Sequence, residues 1–362
     1  MSLTSLFVIQ ILLQSTIIVT SSCGSPTSAA TVSNFTSILI FGDSTVDTGN
    51  NNFIDTVFKA NHLPYGQDFP GHTPTGRFSN GKLIPDFVAS VLGIKQTVPP
   101  SLDPNLSNDD LRTGVSFASA GSGFDEITTV VTGAIPVPKQ LEHFKSYRAN
   151  LSRIFGSNEA QNIIEKSLVI ISAGTNDFGF NYYLLPTRKQ HYNVGGFQDF
   201  LLKALQDLVQ ELYKQGCRKF VIAGLPPMGC VPVLITERLK PPFDKACLED
   251  ENNDARSYNQ KLVNLLPQLQ ATLPGAKIVY ADIYTPLQDM MTNPQKYGFT
   301  ETTKGCCGTG IVEASFLCYS GTPVCEEPSK FLFWDSIHPS EAAYKALSDL
   351  LVNRVLNQFT LK

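Results

Sequence analysis

The sequence predicts an α/β fold of three layers, with helices on both faces of a mainly parallel sheet. Two observations carry this: short apolar runs that each end in turn residues, and longer stretches of helical spacing between them. An uninterrupted apolar run means that both faces of the strand are covered, whereas a half-exposed strand alternates. The strand candidates are Ser37–Phe41, Ser167–Ser172, Lys219–Ala223 and Lys277–Ala281, followed in turn by Gly42-Asp43-Ser44, Ala173-Gly174, Gly224 and Asp282. Val115–Ala118, before Ser119-Ala120-Gly121-Ser122-Gly123, is a weaker fifth. Helices are expected over Phe197–Lys214, which stops at Gly216, over Asn253–Leu273 with a kink at Pro267, and over Ser340–Phe359. In such a fold the functional groups gather at the carboxyl ends of the strands.

The chain has 362 residues, 42% hydrophobic and 17% charged, and its 28 basic and 32 acidic side chains leave a net charge of −4. That composition excludes a disordered chain. With no Lys/Arg-rich run there is no clustered positive charge to bind phosphates, so no nucleic-acid partner is expected. No Asp, Glu, Lys or Arg occurs before Asp43. An apolar core from Leu6 to Val19 gives way to Ser21-Ser22-Cys23-Gly24-Ser25, and we read residues 1–25 as a secretory signal cleaved somewhere between 22 and 30. It departs from the usual pattern in lacking a basic start. Gln10 and Gln14-Ser15-Thr16 interrupt the core, which makes it a poor bilayer span, and no second stretch is long enough, so no transmembrane anchor is expected. The expectation is a secreted protein with one domain over residues 35–359.

Cysteine usage agrees with export. Beyond Cys23 there are seven cysteines, and Cys217, at the start of a strand-like run, reads as a buried free thiol. The other six suit disulfides in an oxidising compartment. Cys230 is expected to pair with Cys247, because the segment between them, with Pro241-Pro242, looks like an excursion that a bridge closes. Cys306 and Cys307 pair with Cys318 and Cys325 in an order the sequence leaves open. Sequons at Asn34, Asn105 and Asn150 are compatible with glycosylation. His62, His72, His143 and His191 lack metal-ligand spacing, and the glycines near Gly121 fit no nucleotide-binding pattern, so neither a metal nor a cofactor is expected.

Two strand ends carry candidate chemistry. Gly42-Asp43-Ser44 follows the first strand, and Asp335-Ser336-Ile337-His338-Pro339 precedes the last helix. A serine becomes a nucleophile at neutral pH when a base takes its proton, and the base needs an acceptor to fix its tautomer. Ser44, His338 and Asp335 supply those three roles, and a curled Asp-x-x-His segment brings its two members together locally. The lipase-type Gly-x-Ser-x-Gly turn is not present around Ser44.

Gly42-Asp43-Ser44 with Thr48-Gly49-Asn50-Asn51, Phe117-Ala118-Ser119-Ala120-Gly121, Gly174-Thr175-Asn176-Asp177 and Asp335-x-x-His338-Pro339 stand in the order seen in plant GDSL esterase/lipases, a branch of the SGNH hydrolases. Leu225–Cys230 and Cys306-Cys307-Gly308 resemble further marks of that branch, and the likeness covers about Ile38 to Leu356. The resemblance implies a flavodoxin-like central sheet of the SGNH type, with Ser44 as nucleophile, His338 as base, Asp335 as its orienting group, and Gly121 and Asn176 as oxyanion donors. Acyl transfer puts negative charge on the former carbonyl oxygen, and the Ser44 N–H is a third donor suited to meet it. Arg77, within a further family-like block, is expected to be structural or at the rim.

The function so implied is secreted hydrolysis of carboxylic esters through an acyl-enzyme. The substrate is an acyl lipid, a polyester, an acetylated polysaccharide or a small metabolite. An acyltransferase with the same triad and a silent binding protein on the same scaffold are the alternatives.

Overall fold

The computed structural model describes residues 35–185, 187–237 and 246–359. The apolar leader, Cys23, the Asn34 sequon and Pro241-Pro242 lie outside the described residues.

Each of the four apolar runs is a strand: β1 (Ser37–Gly42), β2 (Ser167–Ser172), β3 (Lys219–Ala223) and β4 (Lys277–Ala281), all parallel and adjacent in that order. Ile40, Ile170, Val221 and Val279 align in one row across the sheet, and Phe41, Ile171, Ile222 and Tyr280 in the next. Because side chains alternate along a strand, the two rows face opposite layers. The weaker fifth run is not a full strand. Val115–Ala118 lies along the outer edge of β1, where Ile40 N–H donates to Val115, Phe117 N–H to Ile40, and Ser116 forms single bridges to Ile40 and Pro100. Beyond it stand Pro99 and Pro100, which lack the N–H that a continuing ladder needs. Counting this segment as second in the chain, the order is 2-1-3-4-5, the flavodoxin-like arrangement.

The helices are α1 (Ile84–Val91), α2 (Asn108–Thr113), α3 (Glu126–Thr132), α4 (Val137–Phe155), α5 (Ser157–Glu165), α6 (Val194–Lys214), α7 (Pro232–Glu237), α8 (Glu249–Ala271), α9 (Tyr284–Thr292) and α10 (Glu341–Leu356). Helix α6 begins three residues before its apolar stripe because the Asn193 side chain accepts the Gly196 N–H as an N-cap. Helix α8 also starts early, with Glu249, Asp250 and Glu251 in a first turn whose dipole favours negative charge, and it runs through Pro267. Ser340 caps α10.

Leu39, Phe41, Val169, Ile171, Phe220 and Ile222 pack with the aromatic-rich α4, α6 and α8. On the opposite face Ile38, Ile40, Leu168, Ile170, Val221 and Val279 meet α1, α9 and α10. A second, two-stranded parallel ladder pairs β5 (Glu301–Gly305) with β6 (Phe331–Phe333). Between these strands lies the cysteine-rich loop, held by Cys306–Cys325 and Cys307–Cys318, while Cys230 pairs with Cys247. Cys217 is a buried free thiol whose pKa burial pushes up to about 12. Among the described residues no helix is long and apolar enough to cross a membrane.

Candidate active site

The loop that carries Ser44 starts at Gly42, whose φ of +140° suits glycine and where a Cβ would stand 1.9 Å from the Ser172 carbonyl oxygen. Gln140 of α4 clamps this residue: the Gly42 N–H donates to Oε1 and Nε2 donates to the Gly42 carbonyl, both at 2.8 Å. The chain then curls through Asp43, whose carbonyl accepts the N–H of Val46 and Asp47. The Asp43 carboxylate accepts the Thr45 N–H and hydroxyl at 3.0 and 2.8 Å, and burial raises its pKa.

Asp47 ties this loop to the neighbouring block. It is fully buried and accepts the N–H groups of Gly49, Asn50 and Ala120 at 2.8, 2.8 and 2.9 Å. Burial holds its pKa up at about 6. Asn50 donates to the carbonyls of Ser116 and Ala118, and Asn51 to that of Ala120 while accepting from the Ser119 hydroxyl. Arg77 is structural rather than at the rim: it is buried, forms a two-pronged ion pair with Asp86, and donates to the Thr48 carbonyl.

The block after β2 holds the other flank of Gly121. Asp177 accepts the N–H of Phe124 and Asp125 and the Thr128 hydroxyl at 2.9, 3.0 and 2.6 Å, and burial lifts its pKa to about 7. The Asn176 side chain makes no cap to the π-helical turn that follows it, Asp177–Leu184. It donates across to the Ser122 carbonyl at 2.9 Å. Gly121 has φ +82° and its carbonyl accepts the Thr132 hydroxyl. Among the described residues neither the Gly121 N–H nor the Ser44 N–H meets an acceptor.

The segment after β6 supplies the candidate base. Asp335 Oδ1 accepts the N–H of Ile337 and His338, so the carboxylate itself curls the chain that carries the imidazole. His338 Nδ1 lies 2.9 and 2.8 Å from the two Asp335 oxygens, and Nε2 lies 2.8 Å from Ser44 Oγ. Both ends of this chain are buried. Tyr65 donates to Asp335 Oδ2 at 2.6 Å and accepts the Ser315 N–H, and the Phe78 ring lies 4.8 Å from the imidazole. The disulfide-held loop backs the same turn, with Cys307 N–H donating to Trp334 and Ser336 N–H to Glu313.

Ser44, Asn176 and His338 line one cavity of about 220 Å³, and Gly121 is not among its lining residues. Asn105 is exposed and Asn150 half-buried. The sequence reading missed Tyr65, Phe78 and Gln140, which carry no local signal. For Asp47 the Asp-x-Gly turn spacing was a usable one.

The profile of the GDSL-like lipase/acylhydrolase family matches residues 38–351. A GDSL esterase/lipase of Arabidopsis thaliana is 56% identical over 319 residues, 88% of this chain and 89% of its own length. Two others from the same plant are 53% identical over 332 residues, covering 91% of this chain and 92% of their relative, and 52% identical over 326 residues, covering 90% and 91%. With the family profile spanning most of the chain and half of all positions shared with these relatives, the chain belongs to the GDSL-like lipase/acylhydrolase family.

Proposed function

We propose that this carboxylic-ester hydrolase works by a Ser44–His338–Asp335 triad through an acyl-enzyme. The observation that carries the reading is the unbroken chain of contacts from Ser44 Oγ through both imidazole nitrogens to the Asp335 carboxylate. Ser44 Oγ attacks the ester carbonyl carbon while its proton passes to Nε2 of His338. The carbonyl oxygen gains the negative charge, and the Ser44 and Gly121 N–H groups, neither engaged within the protein, together with the Asn176 amide, are the donors offered to it. The C–O bond to the alcohol breaks, and the alcohol leaves with the proton from Nε2. Water then attacks the Ser44 ester with the same base, releasing the acid and restoring the serine. Tyr65 and the two backbone N–H groups on Asp335 keep the carboxylate aimed at Nδ1.

Thr45 stands where the family's four-letter name has leucine. Its hydroxyl donates to Asp43 and meets Ser172 Oγ at 3.1 Å, which braces the loop rather than adding a reacting group. Residues 35–359 act as one catalytic domain, and the leader, the three disulfides and the exposed Asn105 sequon support secretion.

The test is Ser44→Ala assayed on a panel of acyl esters and with a serine-directed phosphonate. Turnover should fall by several orders of magnitude and covalent labelling should vanish, with the fold intact. Undiminished hydrolysis, or labelling of the Ser44→Ala protein, overturns the triad.

A further inference from the structure

The cavity headed by Ser44 and His338 continues well below them, along the sheet face that meets α10. Ile170 and Leu168 of β2 and Val221 of β3 form one wall, and Leu351, Val355 and Leu356 of α10 the other. Ser172, against Thr45 at the carboxyl end of β2, marks the top, and Leu168 lies four residues further down on the same face. At ~3.3 Å per strand residue that is a descent of about 13 Å. Along α10 the lining runs from Tyr344 to Leu356, about 18 Å at ~1.5 Å per residue. The lower wall is hydrocarbon throughout these named positions. Apolar space of this kind stays dry and takes apolar guests, as a ~150 Å³ cavity takes benzene, and an unfilled void destabilises a protein in proportion to its volume.

We propose that the acyl half of the ester lies in this channel, between the sheet and α10, so that the enzyme selects esters of unbranched acids of about eight to ten carbons. The length follows from the depth: an extended hydrocarbon of ~1.5 Å bonds advances about 1.3 Å per carbon, so a descent of about 13 Å takes about ten. At ~30 Å³ for a water-sized group, a volume of about 220 Å³ holds about seven, and the carbonyl carbon at Ser44 makes about eight, the lower bound. The acyl carbonyl sits at Ser44 Oγ and the chain points down. The alcohol, which departs with the proton from His338, faces the mouth beside Phe180 and Leu184. An acetyl group leaves the channel empty, so acetylated polysaccharides are the poorer substrates. This assignment rests on Ser44 being the nucleophile.

The test is kcat/KM for p-nitrophenyl esters from acetate to palmitate, measured below KM on the full chain. The value should rise at least 10-fold from acetate to octanoate or decanoate and fall beyond laurate. Val355→Phe, which blocks the lower end, should reduce the decanoate-to-butyrate ratio at least 5-fold, and Leu351→Ala, which opens it, should move the optimum to longer chains. A poorly folded variant lowers all esters together and leaves the ratio alone, so ratios unmoved in both variants overturn the channel. A preference for acetate overturns it too while leaving Ser44 as nucleophile. Failure to cleave any ester of the series overturns the triad reading itself.

Discussion

The two halves of the candidate active site are assembled by different means. Around Ser44 the ties cross long stretches of chain: Gln140 reaches Gly42 over 98 positions, Asp47 reaches Ala120 over 73, Asn51 reaches Ala120 over 69 and Asp177 reaches Phe124 over 53. Around His338 the central tie is three positions long, from Asp335 to the imidazole and backbone N–H that follow it. That local curl is then backed by Tyr65, 270 positions away, and by the disulfide-held loop. The difference teaches where each half is vulnerable. The His338 half keeps much of its geometry in a short segment, whereas the Ser44 half exists only when β1, the 115–125 block and the turn after β2 are docked, with buried side chains taking the place of a strand ladder.

The largest expected effect breaks that docking. Asp47→Ala leaves the N–H groups of Gly49, Asn50 and Ala120 buried without acceptors, at ~1–3 kcal/mol each. The low half of that sum, about 3–5 kcal/mol, should lower Tm by about 10 °C. A thermal melt shifted by under about 2 °C would show that the network does not hold the loop. Next comes Asn176→Ala, which removes a donor from the proposed oxyanion position. The expectation is a fall in kcat of roughly 100- to 1,000-fold, ~2.7–4 kcal/mol, with KM little changed. If Asn176 serves only to hold Ser122, the variant loses thermal stability and keeps near-normal kcat in its folded fraction.

On the His338 side the expected change is smaller. Tyr65→Phe removes a hydrogen bond to Asp335 and orphans the Ser315 N–H, while four other contacts still orient the carboxylate and imidazole. Steady-state kinetics should show kcat reduced about 5- to 10-fold at constant KM, in line with ~1–1.4 kcal/mol. A loss as large as that of Asn176→Ala would mean that the local curl does not suffice.

The last test is a pH slope centred on the Ser44 half. Burial raises Asp177 from 3.8 to about 7, so the folded protein binds that proton more tightly than the unfolded chain does. The stabilisation is complete below the unfolded value, is lost as pH rises towards about 7, and is flat above it. Asp47, raised to about 6, acts in the same direction. The Tm advantage of the parent over Asp177→Asn should therefore shrink from pH 4.5 to 7.5, a window chosen to span that rise to about 7. A parallel pair of curves contradicts the assignment.

How much of this was legible in the sequence depends on the range of the interaction. Ser37–Gly42 and Ser167–Ser172 announce buried strands because burial on both faces demands consecutive apolar residues, and that demand is met within six positions. Ser44, Asp335 and His338 stand out as candidates at strand ends, and the Asp-x-x-His spacing already contains the curl that the Asp335 carboxylate makes. Val115–Ala118 was only half legible, since its apolar run says nothing of the prolines that end the ladder on its far side.

Tertiary structure alone decided the rest. Gln140 and Tyr65 sit in segments whose local pattern concerns helix or loop, and their roles arise from partners 98 and 270 positions away. The partner order of Cys306 and Cys307 depends on how the loop between β5 and β6 closes, because adjacent cysteines have equal reach along the chain. The channel has no residue signature at all. Leu168, Val221 and Val355 read as ordinary core, and the space among them is what remains when a sheet face of aliphatic side chains meets α1, α9 and α10 without filling the gap. Local sequence reports the preferences of a few neighbouring residues; a cavity and a side-chain clamp on distant backbone are set by the separation of surfaces that only packing brings together.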